Sequence, residues 1–416
     1  MPLINTSIFK NAGWLFPVIL ITGWIIIFTG KLPVTSYTYG NGRELWTMFI
    51  PLLFSIFFLV VLCYFNKPRK WLALLLFVLL VIPFYNVLLN SFQHLVQDDA
   101  YRYGVVANNI AVNKTLWGSD DLLFNTDRKV YMIQPGYRYY LAAWLSLFGK
   151  ENRLFQFFNM GLYLSAVICL LTMVQRIPAG NLFRRGFLLF ILLSSAFVTK
   201  NIMMGLSDWL VVTVLLFFVY AYLSGKIYGA VLLLALVPFI RQNLLIVALL
   251  LFIWLLWQQR QRILYSILFL LVLLLPLYHN LYYAGQWKFF STYYNTQGFL
   301  VLDFKGNMIT RLVKTVLYHI VLYAGVDWLL DNFWANVMAV LFVPLGTALY
   351  IYGITRLKGN TKWLFLLVTS AAIVPTLIFG GRAYYPRFEW VNLSIALLFF
   401  YMLQYKLMNK SFNQRI

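Results

Sequence analysis

Charge is what this chain has least of. Only 11% of its 416 residues are Asp, Glu, Lys or Arg and 62% are hydrophobic, whereas a soluble domain carries roughly a quarter charged residues. That deficit excludes a soluble globular protein and indicates an integral membrane one. Acidic residues are scarcest, twelve against 33 basic, for a formal net charge of +21. In a soluble chain such an excess would suggest nucleic acid, but here the cations gather at the ends of apolar runs, and no nucleic-acid partner is expected. Cysteine is nearly missing: Cys63 and Cys169 lie inside apolar runs, so no disulfide framework is implied. The three histidines, His94, His279 and His319, are too far apart to give metal-ligand spacing. No GxSxG, P-loop or dinucleotide fingerprint occurs. Internal repeats, low-complexity tracts and a separate soluble domain are also lacking.

What is abundant is continuous apolar sequence broken by Pro and Gly. Long runs predict spanning helices, since only helices and closed barrels satisfy their own backbone in lipid, and a barrel would show short alternating segments instead. The expected fold is therefore all-α, a polytopic membrane bundle. About twelve spans are expected, near 12–29, 46–65, 71–92, 152–175, 186–200, 206–223, 227–240, 243–257, 263–283, 335–355, 363–380 and 388–405. The first run follows a weakly charged start, and no small-x-small cleavage site follows it, so it is expected to be a retained helix. Threading from a cytoplasmic amino terminus puts sixteen basic residues and no acidic one on the inner connections, among them Lys67, Arg69, Lys70, Lys226, Arg260, Arg262, Arg356, Lys358 and Lys406. Such segregation is what the positive-inside rule expects. Both termini are then cytoplasmic and the segment 93–151 lies on the outer, periplasmic face of the cell (inner) membrane.

The outer segment 93–151 opens on Gln97-Asp98-Asp99-Ala100-Tyr101-Arg102-Tyr103. A helix is expected over Asp99–Val112, and a second over Tyr137–Phe148 after the Pro135-Gly136 break. The second is too short to span and is expected to be interfacial or re-entrant. Asp98 and Asp99 are adjacent and point about 100° apart on a helix, so they cannot share one task. Asp99 projects with Tyr103, Val106 and Ile110; Asp98 projects with Arg102, Val105 and Asn109. One acid can cap the helix or complement its dipole while the other acts as a general base. Outer basic residues Arg102, Lys129, Arg138, Arg153, Arg241, Arg382 and Arg387 either snorkel to lipid head groups or clamp an anionic lipid phosphate, because guanidinium forks match phosphate oxygens. Arg241 is the most suggestive, set in Pro238-Phe239-Ile240-Arg241-Gln242-Asn243 between two apolar runs. Asp208 opens the helix after Gly205, where Ser207 or Asp208 is the N-cap or Asp208 is a functional acid, and Asp127 is a supporting candidate near Lys129.

These features together resemble the GT-C superfamily of polyprenyl-phosphate-sugar-dependent membrane glycosyltransferases, which includes the protein mannosyltransferases and the aminoarabinose transferases. The matching residues are Asp98-Asp99-Ala100-Tyr101, then Gln134-Pro135-Gly136-Tyr137 through Phe148-Gly149, then Arg153, with Asp208 opening a later helix and Arg382 with Tyr385-Pro386 before the last span. The family's Pro-Pro is Pro135-Gly136 here, and Asp99 stands in place of the common Glu. The likeness implies two extra helices over 1–70 ahead of a GT-C-like catalytic module over 71–416, with interfacial helices on the outer face. It also implies an inverting hexosyl or pentosyl transfer from a polyprenyl-phosphate sugar donor to an acceptor hydroxyl on glycan, lipid or protein.

In that scheme Asp98 is the base, with Asp99 beside it. Arg102, Lys129, Arg138, Arg241, Arg382 and Arg387 hold the donor phosphate, and Asp127, Tyr137, Arg153 and Asp208 support them. No cofactor is expected; the scheme does not demand a divalent metal and leaves one open. Two other readings use the same features: a flippase or transporter for lipid-linked sugars, and a periplasmic polysaccharide polymerase.

Overall fold

The computed structural model describes residues 99–113, 136–148, 154–174, 207–285, 287, 306–307, 309–310, 351–379 and 385–413. The expected spans near 12–29, 46–65, 71–92 and 186–200, the extra helices over 1–70 and most of the span near 335–355 lie outside the described residues. All regular structure among the described residues is helical, with no strand. In chain order the helices are α1 (Asp99–Asn108, continued by a π-turn over Asn109–Asn113), α2 (Gly136–Phe148), α3 (Leu154–Val174), α4 (Ser207–Leu223), α5 (Ile227–Ile240), α6 (Leu245–Leu256), α7 (Arg262–Leu273), α8 (Leu275–Ala284), α9 (Gly359–Phe379) and α10 (Tyr385–Asn413).

Helix α4 is the centre. Its sequence is apolar on every face, which leaves it no side to show to water, and a helix apolar all round is stable only when enclosed. Thirteen of its 17 residues are buried, with α3, α5 and α10 packed around it. The reversal into α5 is made by Gly225 at φ 71°. There Lys226 N–H donates to the Ala221 carbonyl and Gly225 N–H to that of Tyr222, which is the Schellman closure of a helix end.

Helix α5 ends differently. Pro238 in its last turn has no N–H to give to the Leu234 carbonyl, and the helix stops at Ile240. Arg241 is extended at φ −143°, ψ 104°, and a 3-10 turn over Gln242–Leu244 leads into α6.

Among the described residues, one helical stretch is long and apolar enough to cross a membrane, the 21 residues Arg262–Tyr282. It comprises α7 and most of α8, which meet at Leu274 with Pro276 at the start of α8. Ile263, Leu264, Ile267, Leu270 and Leu271 are all exposed along α7, while Tyr265, Phe269 and Leu273 face the bundle. An exposed apolar stripe of this extent is costly in water and at ease in lipid.

The helices alternate direction, which gives the bundle two unlike ends. At one end, the Tyr222 hydroxyl and Lys406 Nζ both donate to Gln258 Oε1, each at 2.6 Å, and the Tyr228 hydroxyl donates to Gln261. Phe365 packs edge-on against Phe400, which sets the start of α9 at this Lys406 end. At the other end, the ends of α5 and α8 meet α2, and the start of α4 meets the end of α5.

Candidate functional site

A glycine makes this second end possible. Gly136, first residue of α2, lies directly against the backbone where α5 finishes: a Cβ there would stand 2.6 Å from the Phe239 carbonyl oxygen and 3.0 Å from Ile240 Cα. Only a residue without a side chain permits that approach. The contact sets the next three residues of α2, Tyr137, Arg138 and Tyr139, among the ends of the surrounding helices.

Tyr137 is fully buried. It donates to Asn159 Oδ1 of α3 at 3.2 Å and accepts from Asn159 Nδ2 at 2.9 Å, and its ring meets Tyr103 of α1 edge-on, centroids 5.2 Å apart. Arg138 is 2% exposed, with its guanidinium carbon 4.5 Å above the Tyr103 ring. Such a cation–π contact is worth about 2 kcal/mol once desolvated. Tyr139 stacks on Phe239 of α5 and shares a 2.9 Å hydrogen bond with His279 Nδ1 of α8. Burial pushes the Tyr140 phenol above its ordinary range, with a smaller opposing effect from Trp144, so it stays neutral.

One residue past the Gly136 contact, Arg241 Nη2 donates to Asp208 Oδ1 in an ion pair between the end of α5 and the start of α4. Both residues are buried, Asp208 completely. Asp208 lies inside the first turn of α4, which begins at Ser207, so an N-cap is not its place. There its charge complements the helix dipole as well as Arg241.

The expected helix over Asp99–Val112 is α1 with its π-turn. The stripe that contains Asp99 also carries Tyr103, Val106 and Ile110, all buried, and α1 packs on α2. Asp99 is the first residue of α1, Arg102 the fourth, and Arg387 the third of α10; these three are placed by backbone alone. Asp98, Asp127, Lys129, Arg153 and Arg382 lie outside the described residues. Of the expected set, Tyr137, Arg138, Asp208 and Arg241 lie at one end of the bundle, the last two paired with each other and linked to α2 through the Gly136 contact.

Asn159 and Asn280, which carry no sequence signal of their own, are buried at this end, as is His279. Sequence spacing speaks only to metal ligation by His279, and among the described residues no group of three or more His, Cys, Asp and Glu could hold a metal. Its signal was available, because an ionisable side chain inside an apolar run is expensive and is kept for a reason. No family model, curated protein or solved structure matches this chain.

Proposed function

We propose that the chain is a membrane glycosyltransferase that uses a polyprenyl-phosphate sugar donor and works at the Arg138 end of the bundle. The observation that carries the reading is the burial of two guanidinium groups, Arg138 and Arg241, on elements joined at Gly136. Burying a cation in an apolar bundle costs several kcal/mol, and this fold does it twice at one end. A lipid phosphate is the ligand such forks suit. In this reading Tyr103 and Asp208 hold the two guanidinium groups in place, and α2, at 13 residues too short to span, lies at the membrane surface with Leu147 and Phe148 exposed.

Asp98 takes the proton of the acceptor hydroxyl. The resulting oxygen attacks the anomeric carbon from the face opposite the phosphate, and polyprenyl phosphate departs with the bonding pair, so configuration inverts. The leaving group needs no proton, and the guanidinium charges favour it electrostatically. The accompanying topology is twelve spans with both termini cytoplasmic and this end outside. It is supported by Lys226, Arg260, Arg262 and Lys406 all falling at the opposite end.

The test is purified Asp98→Asn protein given polyprenyl-phosphate sugar and candidate acceptors. Transfer should fall by about 10²- to 10⁴-fold, the usual contribution of a general base, while Asp99→Ala keeps the greater share. Unimpaired transfer by Asp98→Asn would sink the base assignment. Movement of lipid-linked sugar across proteoliposomes without transfer would replace the enzyme with a flippase.

A further inference from the structure

The Lys406 end has no part in the chemistry proposed above, yet among the described residues it carries several cations and no acid. Lys226 in the α4–α5 turn, Arg260 and Arg262 in the α6–α7 turn, and Arg356 and Lys358 ahead of α9 are all exposed. The acidic residues among the described ones are Asp99, Asp208 and Glu389, and each belongs to the start of a helix at the other end. The cations therefore face outward with no described acid to neutralise them.

The helix ends that carry them are tied together, and two of the cations have contacts of their own. Gln258 accepts from the Tyr222 hydroxyl and from Lys406 Nζ and donates to the Trp254 carbonyl, which ties the ends of α4, α6 and α10 together. Arg262 Nε donates to the Gln259 carbonyl at 3.3 Å, and the Arg356 guanidinium lies 5.4 Å from the centre of the Tyr352 ring. Two large rings lie among these cations with most of their surface free: Trp257 is 72% exposed and Trp363 is 69% exposed. Exposed tryptophan beside exposed arginine and lysine is the composition of a membrane–water boundary, where an indole sits at head-group depth and cations meet phosphate.

We infer that the turns at 223–227 and 256–262, with the residues 356–363 before and into α9, form a binding surface for the head groups of anionic phospholipids. The partner is the bilayer leaflet itself, and the selectivity is for lipids with net negative charge over zwitterionic ones. The inference rests on the membrane reading but not on the transferase chemistry, so failure of the Asp98→Asn test leaves it standing. Each cation near such a surface strengthens attraction about fivefold at moderate salt.

The test uses the full chain in detergent with phosphatidylglycerol and phosphatidylcholine titrated separately, and counts retained lipids by native mass spectrometry. A fivefold variant carries Lys226→Gln, Arg260→Gln, Arg262→Gln, Arg356→Gln and Lys358→Gln. The expected result is at least a tenfold preference of the wild type for phosphatidylglycerol, lost in the variant and weakened by salt. A milder Arg260→Gln/Arg262→Gln variant, checked for an unchanged melting temperature, should lose part of it. Equal retention of both lipids by the wild type overturns the inference. So does an undiminished preference in the variants, which would put the lipid elsewhere. Full competition by inorganic phosphate at the same concentration as the lipid also overturns it, in favour of a soluble anion.

Discussion

At the scale of single residues, the Asp208–Arg241 pair dominates the energetics of the site. Both groups are buried, so removing one leaves the other charged and without its counter-ion in an apolar setting, at a cost of about 3–5 kcal/mol. Replacing both by apolar residues of similar volume avoids that penalty. The expected outcome for Arg241→Met or Asp208→Leu alone is a large loss of thermal stability in detergent, and for the double variant a recovery of most of it. Additive losses in the cycle would show that the two side chains do not interact. The sequence made both residues visible, Asp208 opening a helix and Arg241 between two apolar runs. It did not pair them, because 33 positions separate them and nothing local links a helix start to the end of its neighbour. The Tyr139–His279 contact spans 140 positions and was hidden for the same reason.

At the scale of elements, hydropathy and turn chemistry performed well where a run ended on a chemical break. The expected helix after Pro135-Gly136 is α2, and the expected 206–223 and 227–240 are α4 and α5. Two discrepancies have physical causes. The expected span near 263–283 is present as Arg262–Tyr282 but is divided into two helices at Leu274, since a hydropathy sum cannot register that the Pro276 ring collides with the carbonyl four residues earlier. The last helix, expected over 388–405, extends to Asn413, because Gln404–Asn413 loses hydrophobicity while keeping helix-forming residues. The docking of α2 is an element-level property that rests on Gly136. Gly136→Ala should force the α5 backbone or α2 itself to move and cost about 1–3 kcal/mol, as overpacking does. Gly161→Ala on α3 is the control, since a Cβ there meets nothing within 4 Å and should stabilise that helix by about 0.5–1 kcal/mol. Melting temperatures of the two variants should therefore move in opposite directions.

At the scale of the whole molecule, the described part of the bundle is polar in a directional sense: buried ion pairing and histidine at one end, exposed lysine and arginine at the other. Single-cysteine variants test the proposed orientation. In a background with Cys63→Ala and Cys169→Ala, Tyr282→Cys should react with a membrane-impermeant thiol reagent added to intact cells. Lys226→Cys should react only once the membranes are inverted or opened. Labelling of both from the same side would break the two-ended topology. The span count, by contrast, was legible only as a hydropathy sum, with Arg262–Tyr282 the one described stretch that meets the length and composition of a crossing.

Helix α4 joins the two ends directly. Asp208 in its first turn and Tyr222 in its last are about 21 Å apart along the axis at 1.5 Å per residue. One grips Arg241 and the other Gln258. A hydrogen-bonded helix barely compresses, so α4 behaves as a push-rod. A shift imposed along the axis on either junction would therefore reach the other, the carboxylate–guanidinium pair at one end and the glutamine beneath the lysine- and arginine-bearing turns at the other.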